Sequence, residues 1–248
     1  MIFKKILEDK MKGKKNFALL IDPDKQNTKD LTCIIEKANE AMVDFFFIGG
    51  SLLTSNSLDL CIKTVKSKSK IPIVLFPGNA MQVHDGADGI LFLSLISGRN
   101  AEMLIGKQVI TAPILKQSKL EVLPTGYMLI DSGKPTTVSY MSNTTPIPSE
   151  KDAIACCTAM AGEMLGMRLI FMDGGSGAEQ PISSKMIQKV RSSIKAPLII
   201  GGGIRSAQKA SEILNAGADV IVVGNAIEKN HNLIFEIAEA VHKTSFVE

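Results

Sequence analysis

Short apolar runs recur along the chain, and a stretch of helical periodicity follows most of them. Most of these runs are almost continuously apolar rather than alternating, which is typical of parallel strands buried on both faces. Strands that alternate with helices predict βαβ units and a parallel sheet. Eight strands are predicted in this way: Phe17–Ile21, Asp44–Ile48, Ile71–Phe76, Gly89–Leu93, Tyr127–Ile130, Leu169–Met172, Pro197–Ile200 and Asp219–Val223.

The clearest helical patterns lie between these strands. The last of the four begins at a serine suited to an N-cap and ends just before Gly217. A further amphipathic segment at residues 2–11 predicts a helix that covers the bottom of a barrel, with a membrane-surface helix as the alternative. The four patterns are Thr28–Met42, Ser149–Leu165, Ser183–Ser193 and Ser206–Ala216.

Two intervals depart from this regular alternation. Residues 77–88 are short and contain Pro77, Gly78 and Gly86, so this third interval need not hold a full helix. Residues 131–148 form a long segment rich in Ser, Thr and Pro after the fifth strand. A loop of that length in a compact barrel is usually functional or disordered, and we interpret it as a lid over a substrate.

Length and composition agree with one (β/α)8 TIM barrel domain over residues 1–248, because this fold needs about 250 residues. Length alone also permits two smaller domains, and eight units also fit an open doubly wound sheet; the glycine-rich turns described next favour the barrel. The net charge of +3 is too small to predict a nucleic-acid surface. Apolar runs are far shorter than the ~20 residues of a membrane span. Free thiols at Cys33, Cys61, Cys156 and Cys157 predict a cytoplasmic location.

Three glycine-rich turns follow the last three strands. They are Asp173–Gly177, Gly201–Ser206 and the pair Gly224 and Asn225. Glycine lets main-chain N–H groups approach an anion closely, and a helix that begins behind the turn adds a favourable dipole. The loops after strands seven and eight often bind phosphate in these barrels. Three such turns in series predict a site for a phosphorylated small molecule.

Two polar residues at the ends of the first two strands are candidate metal ligands. Asp22 follows the first strand, and Ser51 follows the second within the turn Gly49–Ser51. Mg²⁺ prefers one or two carboxylates together with substrate phosphate oxygens. From the residues alone, a turn or helix-capping role remains an equal alternative for Asp22 and the favoured one for Ser51.

Other catalytic equipment is missing from the predicted strand ends. No lysine lies within a strand, as a Schiff-base aldolase would need, and neither a GxSxG motif nor a Cys–His pair is evident. The remaining set of carboxylates, metal and phosphate site suits a reaction in which a metal-bound diphosphate departs and a hydroxyl attacks.

These segments together resemble the geranylgeranylglyceryl phosphate synthase family, also called the PcrB-like family. The SNTTPIP segment and Leu20 are similar to the second of the family's two groups, since the first group has a Lys in place of Leu20. The matching motifs are LIDPDK (20–25), FIGGS (47–51), FPGN (76–79), PTGYMLID (124–131), SYMSNTTPIP (139–148), FMDGGSGA (171–178), GGGIRS (201–206) and VVGNAIEK (222–229).

The resemblance implies a Mg²⁺-dependent prenyltransferase. It would join an allylic prenyl diphosphate, typically geranylgeranyl diphosphate, to the sn-3 hydroxyl of sn-glycerol 1-phosphate and release pyrophosphate. By position, Asp22 and Ser51 correspond to the Mg²⁺ ligands, and family members commonly form dimers or hexamers. The implied glycerol phosphate site consists of Phe171, Met172, Asp173, Gly174, Gly175, Ser176, Gly177, Gly202, Gly203, Gly224 and Asn225.

Two residues depart from the family pattern. Phe171 replaces a usual Tyr, and Asp173 replaces a usual Glu that is one methylene longer. Asp173 is nevertheless the candidate catalytic residue, as a base or as a positioning group. Phe76, Phe92 and Leu95 are candidates for a prenyl groove, with plain barrel core as the favoured alternative for each. Two other functions remain open: a phosphosugar isomerase, and a barrel that binds a phosphorylated ligand without catalysis.

Overall fold

The computed structural model describes residues 1–25, 27–52, 54, 57–79 and 82–245. Eight parallel strands form a closed barrel in chain order, so the predicted (β/α)8 fold is confirmed. Each strand pairs with its neighbours in sequence, and β8 closes on β1. The strands are β1 Asn16–Ile21, β2 Phe45–Ile48, β3 Ile73–Leu75, β4 Gly89–Leu95, β5 Glu121–Leu129, β6 Leu169–Asp173, β7 Leu198–Gly201 and β8 Val220–Val223.

Helices surround the barrel and pack on the outer faces of its strands. Side chains such as Ile34, Ile187 and Ile213 pack inward from these helices onto the outer faces of the strands. The helices are α1 Ile2–Met11, α2 Thr28–Glu40, α3 Leu58–Lys68, α4 Lys107–Gln117, α5 Thr137–Ser142, α6 Asp152–Met164, α7 Ser184–Ser193, α8 Ala207–Asn215, α9 Asn225–Lys229 and α10 Leu233–Thr244, with a π-helical turn Glu102–Gly106 before α4.

The N-cap predicted at Ser206 is confirmed, and Ser183 caps α7 in the same way. The Ser206 side chain accepts a hydrogen bond from the Lys209 N–H, and the Ser183 side chain accepts one from the Met186 N–H. Each serine satisfies a main-chain donor that has no partner inside the helix. α6 begins at Asp152, three residues later than predicted, and Lys151 occupies the N-cap position.

Helix α1 closes the bottom of the barrel, as predicted. Ile2 and Ile6 are buried among the side chains that fill the barrel interior. The Glu121 carboxylate at the start of β5 accepts hydrogen bonds from the main-chain N–H groups of Ile2 and Phe3, the second at 3.0 Å. This negative charge lies at the positive end of the helix dipole and holds the helix in place.

The fifth strand is longer than predicted. It begins at Glu121 and not at Tyr127, and seven of its residues pair with β4. The prediction missed the first part of the strand because Pro124 and Gly126 are unfavourable in strands. The long segment after β5 is not an open loop either. It contains α5, whose Thr136 and Ser139 form a reciprocal capping box, and Ile147 returns to pair with Ile130.

The interval between β3 and β4 contains no helix within its described residues, 76–79 and 82–88. This agrees with the prediction that it need not hold one. β3 is only three residues long and pairs with β4 only at Gly89 and Ile90. On its β3 side, β4 therefore has no paired strand residue beyond Ile90 in the described part of the chain.

Candidate active site

One large cavity of about 950 Å³ opens at the C-terminal ends of the strands. Active sites of this fold form at this end. Eleven of the thirteen predicted site residues line the cavity: Asp22, Ser51, Phe171, Asp173, Gly175, Ser176, Gly177, Gly202, Gly203, Gly224 and Asn225. The other two do not line it. Met172 points outward into the layer between barrel and helices, because successive strand residues alternate faces, and the Gly174 N–H is bonded to the Gly201 carbonyl.

Three of the predicted turns, which we call the glycine turns, lie side by side: Gly174–Gly177, Gly202–Gly203 and Gly224–Asn225. Gly202 has φ of +84°, and a Cβ there would lie 2.6 Å from the Gly174 nitrogen and 2.9 Å from Asp173 Oδ1. Only glycine fits so close an approach in a left-handed conformation. The Asn225 side-chain amide donates to Ser176 Oγ at 3.2 Å and links two of the turns. The result is a concave surface of main-chain groups suited to an anion.

Asp173 lies at the edge of these turns and is buried. Its Oδ2 accepts a hydrogen bond from the Tyr127 hydroxyl at 2.6 Å, and its Oδ1 accepts one from the Gly175 N–H at 2.8 Å. Burial raises the pKa of Asp173, and the two hydrogen bonds act in the opposite direction. A carboxylate with a raised pKa is a stronger base than an exposed one, and both of its oxygens are held in place.

Tyr127 was not singled out from the sequence for any role. Burial and the neighbouring Asp173 carboxylate raise its pKa well above 10, so its hydroxyl stays protonated and donates to Asp173. The strand register places Tyr127 beside Phe171. Tyr127 therefore supplies a hydroxyl next to the position where Phe171 lacks one. A tyrosine in a buried strand needs a hydrogen-bond partner, which is the signal that could have revealed it.

The second polar region lies at the ends of β1 and β2. Asp22 is partly exposed and forms an ion pair with Lys25 at 3.1 Å, and Lys25 also lies 3.8 Å from Glu228. The pKa of Glu228 is raised, mainly by burial. The Lys25 ammonium opposes this rise, and the Asp22 carboxylate adds to it. A Cβ added to Gly50 would lie 3.5 Å from the Asp22 carboxylate, so the turn that bears Ser51 runs close beside it.

These residues fit a Mg²⁺ ion that a substrate helps to hold. The described residues contain no cluster of three or more His, Cys, Asp or Glu side chains arranged around a metal. A single carboxylate with a nearby hydroxyl leaves most of the coordination to water and phosphate oxygens, which is the arrangement that Mg²⁺ accepts.

A further part of the cavity is lined mainly by apolar side chains and reaches both faces of β4. Ile90, Leu91, Phe92 and Leu93 all line it. Since successive residues of a strand point to opposite faces, the cavity passes from the barrel interior to the outside of β4. This part of the cavity lies where β4 extends beyond its pairing with β3, which ends at Ile90. We call this part of the cavity, between β4 and α4, the apolar groove.

Phe76 and Leu95, predicted as candidates for an apolar lining together with Phe92, also line the cavity. Beyond β4 the groove is bounded by Met103, Gln108 and Thr111 from the π-helical turn and α4. The Gln108 side-chain amide donates to the Leu93 and Met103 carbonyls, the second at 3.1 Å. These bonds satisfy a strand carbonyl that a neighbouring strand would otherwise use.

The segment interpreted as a lid forms part of the cavity wall. Lys134, Thr137, Val138, Met141 and Ser142 line it from this segment. Thr136 packs against Gly175, since a Cβ added there would lie 2.7 Å from Thr136 Oγ1. At the other end of α5, the Asn100 amide donates to the Ser142 carbonyl at 2.6 Å. The segment is thus attached both to a glycine turn and to the loop after β4.

No helix in the described part of the chain has the length and apolar character needed to cross a membrane. All four cysteines are unpaired.

Comparison with known proteins gives a consistent result. Over 241 residues the chain is 58% identical to geranylgeranylglyceryl phosphate synthase of Chitinophaga pinensis, covering 97% of this chain and 96% of that protein. The same enzyme of Methanosphaera stadtmanae is 36% identical over 95% of this chain and 98% of its own length. A crystal structure of the Thermoplasma acidophilum enzyme, solved in complex with its substrate sn-glycerol-1-phosphate, superposes with a TM-score of 0.92 at 30% identity, over 98% of this chain and 99% of that one.

The family model described as the PcrB family matches residues 8–242, which include every strand of the barrel and every residue of the predicted site. On this match and these relatives, the chain belongs to the PcrB family.

Proposed function

We propose that this protein is a prenyltransferase that joins an allylic prenyl diphosphate, geranylgeranyl diphosphate in the first instance, to the sn-3 hydroxyl of sn-glycerol 1-phosphate. The observation that carries this proposal is the composition of one cavity. An anion-binding surface of glycine turns and a buried carboxylate occupy one side, and an apolar groove occupies the other. The names of the relatives and the bound substrate of the Thermoplasma acidophilum structure support the same activity.

The glycine turns are suited to the phosphate of the acceptor. Gly177 and Gly203 line the cavity, and their main-chain N–H groups are the candidates to bind this phosphate. With the phosphate held there, the glycerol hydroxyls extend toward Asp173. The Arg205 guanidinium donates to the Ala178 carbonyl at 2.7 Å and holds the first turn in shape.

Asp173 is placed to accept the proton of the attacking hydroxyl. The Tyr127 hydroxyl and the Gly175 N–H fix its orientation, so little reorganisation is needed during the reaction. Its raised pKa makes proton transfer more favourable than it would be to an exposed aspartate. Asp173 is one methylene shorter than the usual family residue. Tyr127 binds its Oδ2, the oxygen that Gly175 does not bind.

Asp22 and Ser51 would hold Mg²⁺ at the ends of β1 and β2, together with oxygens of the diphosphate. The ion would supply positive charge against the negative charge that develops on the leaving group. Lys25 lies 3.1 Å from Asp22 and adds a second positive charge on this side of the cavity.

The apolar groove would hold the prenyl chain, and the lid segment would exclude water from the allylic centre. Water exclusion matters because a prenyl cation that meets water is hydrolysed. Val138 and Met141 place apolar side chains of α5 on the cavity wall. The two attachments of α5, at Gly175 and at Asn100, hold it over the site.

A cytoplasmic homo-oligomer remains our proposal for the cellular form. The free cysteines support a reducing compartment. α4 and its preceding turn expose Ile105, Val109, Ile110 and Ile114, and exposed apolar patches mark protein–protein interfaces. Light scattering coupled to gel filtration measures the oligomeric state directly.

Transfer of radiolabelled sn-glycerol 1-phosphate into an organic-soluble product tests the proposed activity. We expect label in the organic phase only when a prenyl diphosphate and Mg²⁺ are both present. A phosphosugar isomerase would leave all label in the aqueous phase. Binding of glycerol phosphate without product, whether or not Mg²⁺ is added, would indicate a non-catalytic barrel.

A further inference from the structure

Four aromatic rings meet in the upper barrel interior, beneath the cavity. Phe76 at the end of β3 stacks on Phe171 of β6, with ring centroids 5.3 Å apart and planes inclined by 26°. The Tyr127 ring meets Phe76 edge-on at 6.0 Å and Phe171 edge-on at 5.4 Å. Phe47 of β2 meets Phe76 edge-on, with ring centroids 6.5 Å apart. Phe76, Tyr127 and Phe171 line the cavity, whereas Phe47 does not.

Phe76 lies between the two polar regions of the site. Its main chain packs so closely on Gly49, in the turn that bears Ser51, that a Cβ at Gly49 has no room. Its ring reaches across the barrel to Phe171 and Tyr127, the residues that surround Asp173. Phe76 therefore connects the turn that bears Ser51 to the residues around Asp173, and its ring lines the cavity that both regions share.

The proposed reaction forms a cation in that shared cavity. The bond between prenyl C1 and the diphosphate oxygen breaks, and its electron pair leaves with the diphosphate. The allylic carbons then carry positive charge until an oxygen lone pair of the glycerol 3-hydroxyl forms the new bond to C1, and the hydroxyl proton passes to Asp173. A cation over an aromatic face is attracted by the negative charge of the ring's π system, most strongly where water is excluded.

We propose that Phe76 is a further catalytic residue, whose ring face stabilises the allylic cation while Phe171 and Tyr127 hold that ring in place. This inference rests on the proposed prenyl transfer. It assigns to Phe76 an electrostatic role that core packing alone would not give. Aromatic stacking on Phe171 fixes the plane of the ring, so the ring need not reorient when the cation forms.

Site-specific replacement of Phe76 by mono-, di- and trifluorophenylalanine separates charge from shape. Each fluorine withdraws charge from the ring face and changes its volume little. Under single-turnover conditions we expect the rate constant for ether formation to fall stepwise, by about 10-fold or more at the trifluoro stage. The Kd for sn-glycerol 1-phosphate should not change. Phe76→Leu should lower the rate constant at least as far as the trifluoro ring does.

The same fluorinated series at Phe47 is the matched control, because this ring contacts Phe76 but lies outside the cavity. We expect the rate constant for ether formation to stay the same across the Phe47 series. A rate constant that does not change with fluorination at Phe76, or that falls equally at both positions, would overturn the proposal and leave the Phe76 ring a packing role. Wild-type protein that forms no ether product would instead contradict the proposed function, so the two failures are distinguishable.

Discussion

The two sides of the cavity differ in what lines them: main chain on one side and apolar side chains on the other. At the ends of β6, β7 and β8 the surface consists mainly of main chain, shaped by glycines and supported by one buried carboxylate. Around β3, β4 and α4 it consists mainly of apolar side chains, next to a β3–β4 interval whose described residues form no helix. The anion site is thus formed by main chain that glycines shape, whereas the apolar groove is formed by side chains beside the one β/α unit whose described residues contain no helix.

The difference has a consequence for specificity. Main-chain N–H groups are fixed by the fold, so the glycine turns set the position of a phosphate precisely and tolerate few substitutions. The apolar groove is formed by side chains of various sizes, so its length and width change with single residues such as Phe92 or Met103. The acceptor side is therefore expected to be strict and the prenyl side adjustable.

The largest expected effect is on the diphosphate side. Asp22→Asn should lower Mg²⁺-dependent turnover by at least about 10³-fold, because the variant loses the one carboxylate that would hold the ion against the leaving group. Thermal unfolding should be nearly unchanged, since Asp22 is partly exposed. Near wild-type turnover with an unaltered Mg²⁺ dependence would exclude the metal role.

Removal of the buried carboxylate should have the next largest effect. We expect Asp173→Ala to lower kcat/KM by at least ~10²-fold, the low end for a positioned base. A fall in kcat would indicate a transition-state role, and a rise in KM alone would indicate substrate positioning. Asp173→Glu, which restores the usual family residue, should retain substantial activity. Unchanged kcat and KM in Asp173→Ala would mean that the hydroxyl site lies elsewhere.

Gly202→Val sharpens the comparison between the two sides. A Cβ at this position would collide with Gly174 and Asp173, so the affinity for sn-glycerol 1-phosphate should fall by about 10- to 100-fold, the loss of one or two charge-assisted hydrogen bonds. Binding of the prenyl diphosphate should be little affected.

Gly166→Val provides the matched control for Gly202→Val. Gly166 has φ of +87°, close to that of Gly202, but a Cβ there meets nothing within 4 Å. It therefore reports the cost of the backbone conformation alone. Equal losses of both substrates in Gly202→Val would show general damage to the barrel.

Tyr127→Phe should have a smaller effect with a distinct pH signature. Loss of one hydrogen bond to a buried carboxylate lowers kcat by about 10-fold. The Tyr127 hydroxyl lowers the pKa of Asp173, so its removal raises that pKa further and moves the acid limb of the pH–kcat profile to higher pH. A profile that keeps its acid limb while kcat falls would contradict a role through Asp173.

The smallest effect concerns stability. The pKa of Asp173 is raised above 3.8 in the folded protein, mainly by burial. A raised carboxyl pKa contributes stability below pH 3.8, and this contribution is lost as pH rises through the folded-state pKa. Asp173→Asn lacks this titration, so its free energy of unfolding relative to wild type should increase with pH. Urea unfolding between pH 4 and pH 7 measures the trend, and a decrease would contradict the sign.

Much of this site could be predicted from the sequence, for a physical reason. Glycine turns and strand-end residues such as Asp22 depend on local chain geometry, which the local sequence specifies. The predicted start of β5 was wrong because Pro124 and Gly126 interrupt the local strand pattern, whereas contacts with β4 decide where the strand begins. The role of Tyr127 escaped prediction, and plain core was the favoured interpretation of Phe76 and Phe92, because a buried aromatic residue has the same sequence pattern whether it lines a cavity or fills a core.

The most direct test of two substrate sites on opposite sides of one cavity is a crystal structure with sn-glycerol 1-phosphate, Mg²⁺ and an unreactive thiolo analogue of geranylgeranyl diphosphate. We expect the glycerol phosphate on the glycine turns with its 3-hydroxyl at Asp173, the diphosphate at Asp22 and Ser51, and the prenyl chain across Phe76 into the apolar groove. Diphosphate on the glycine turns, or a prenyl chain outside the groove, would contradict this arrangement.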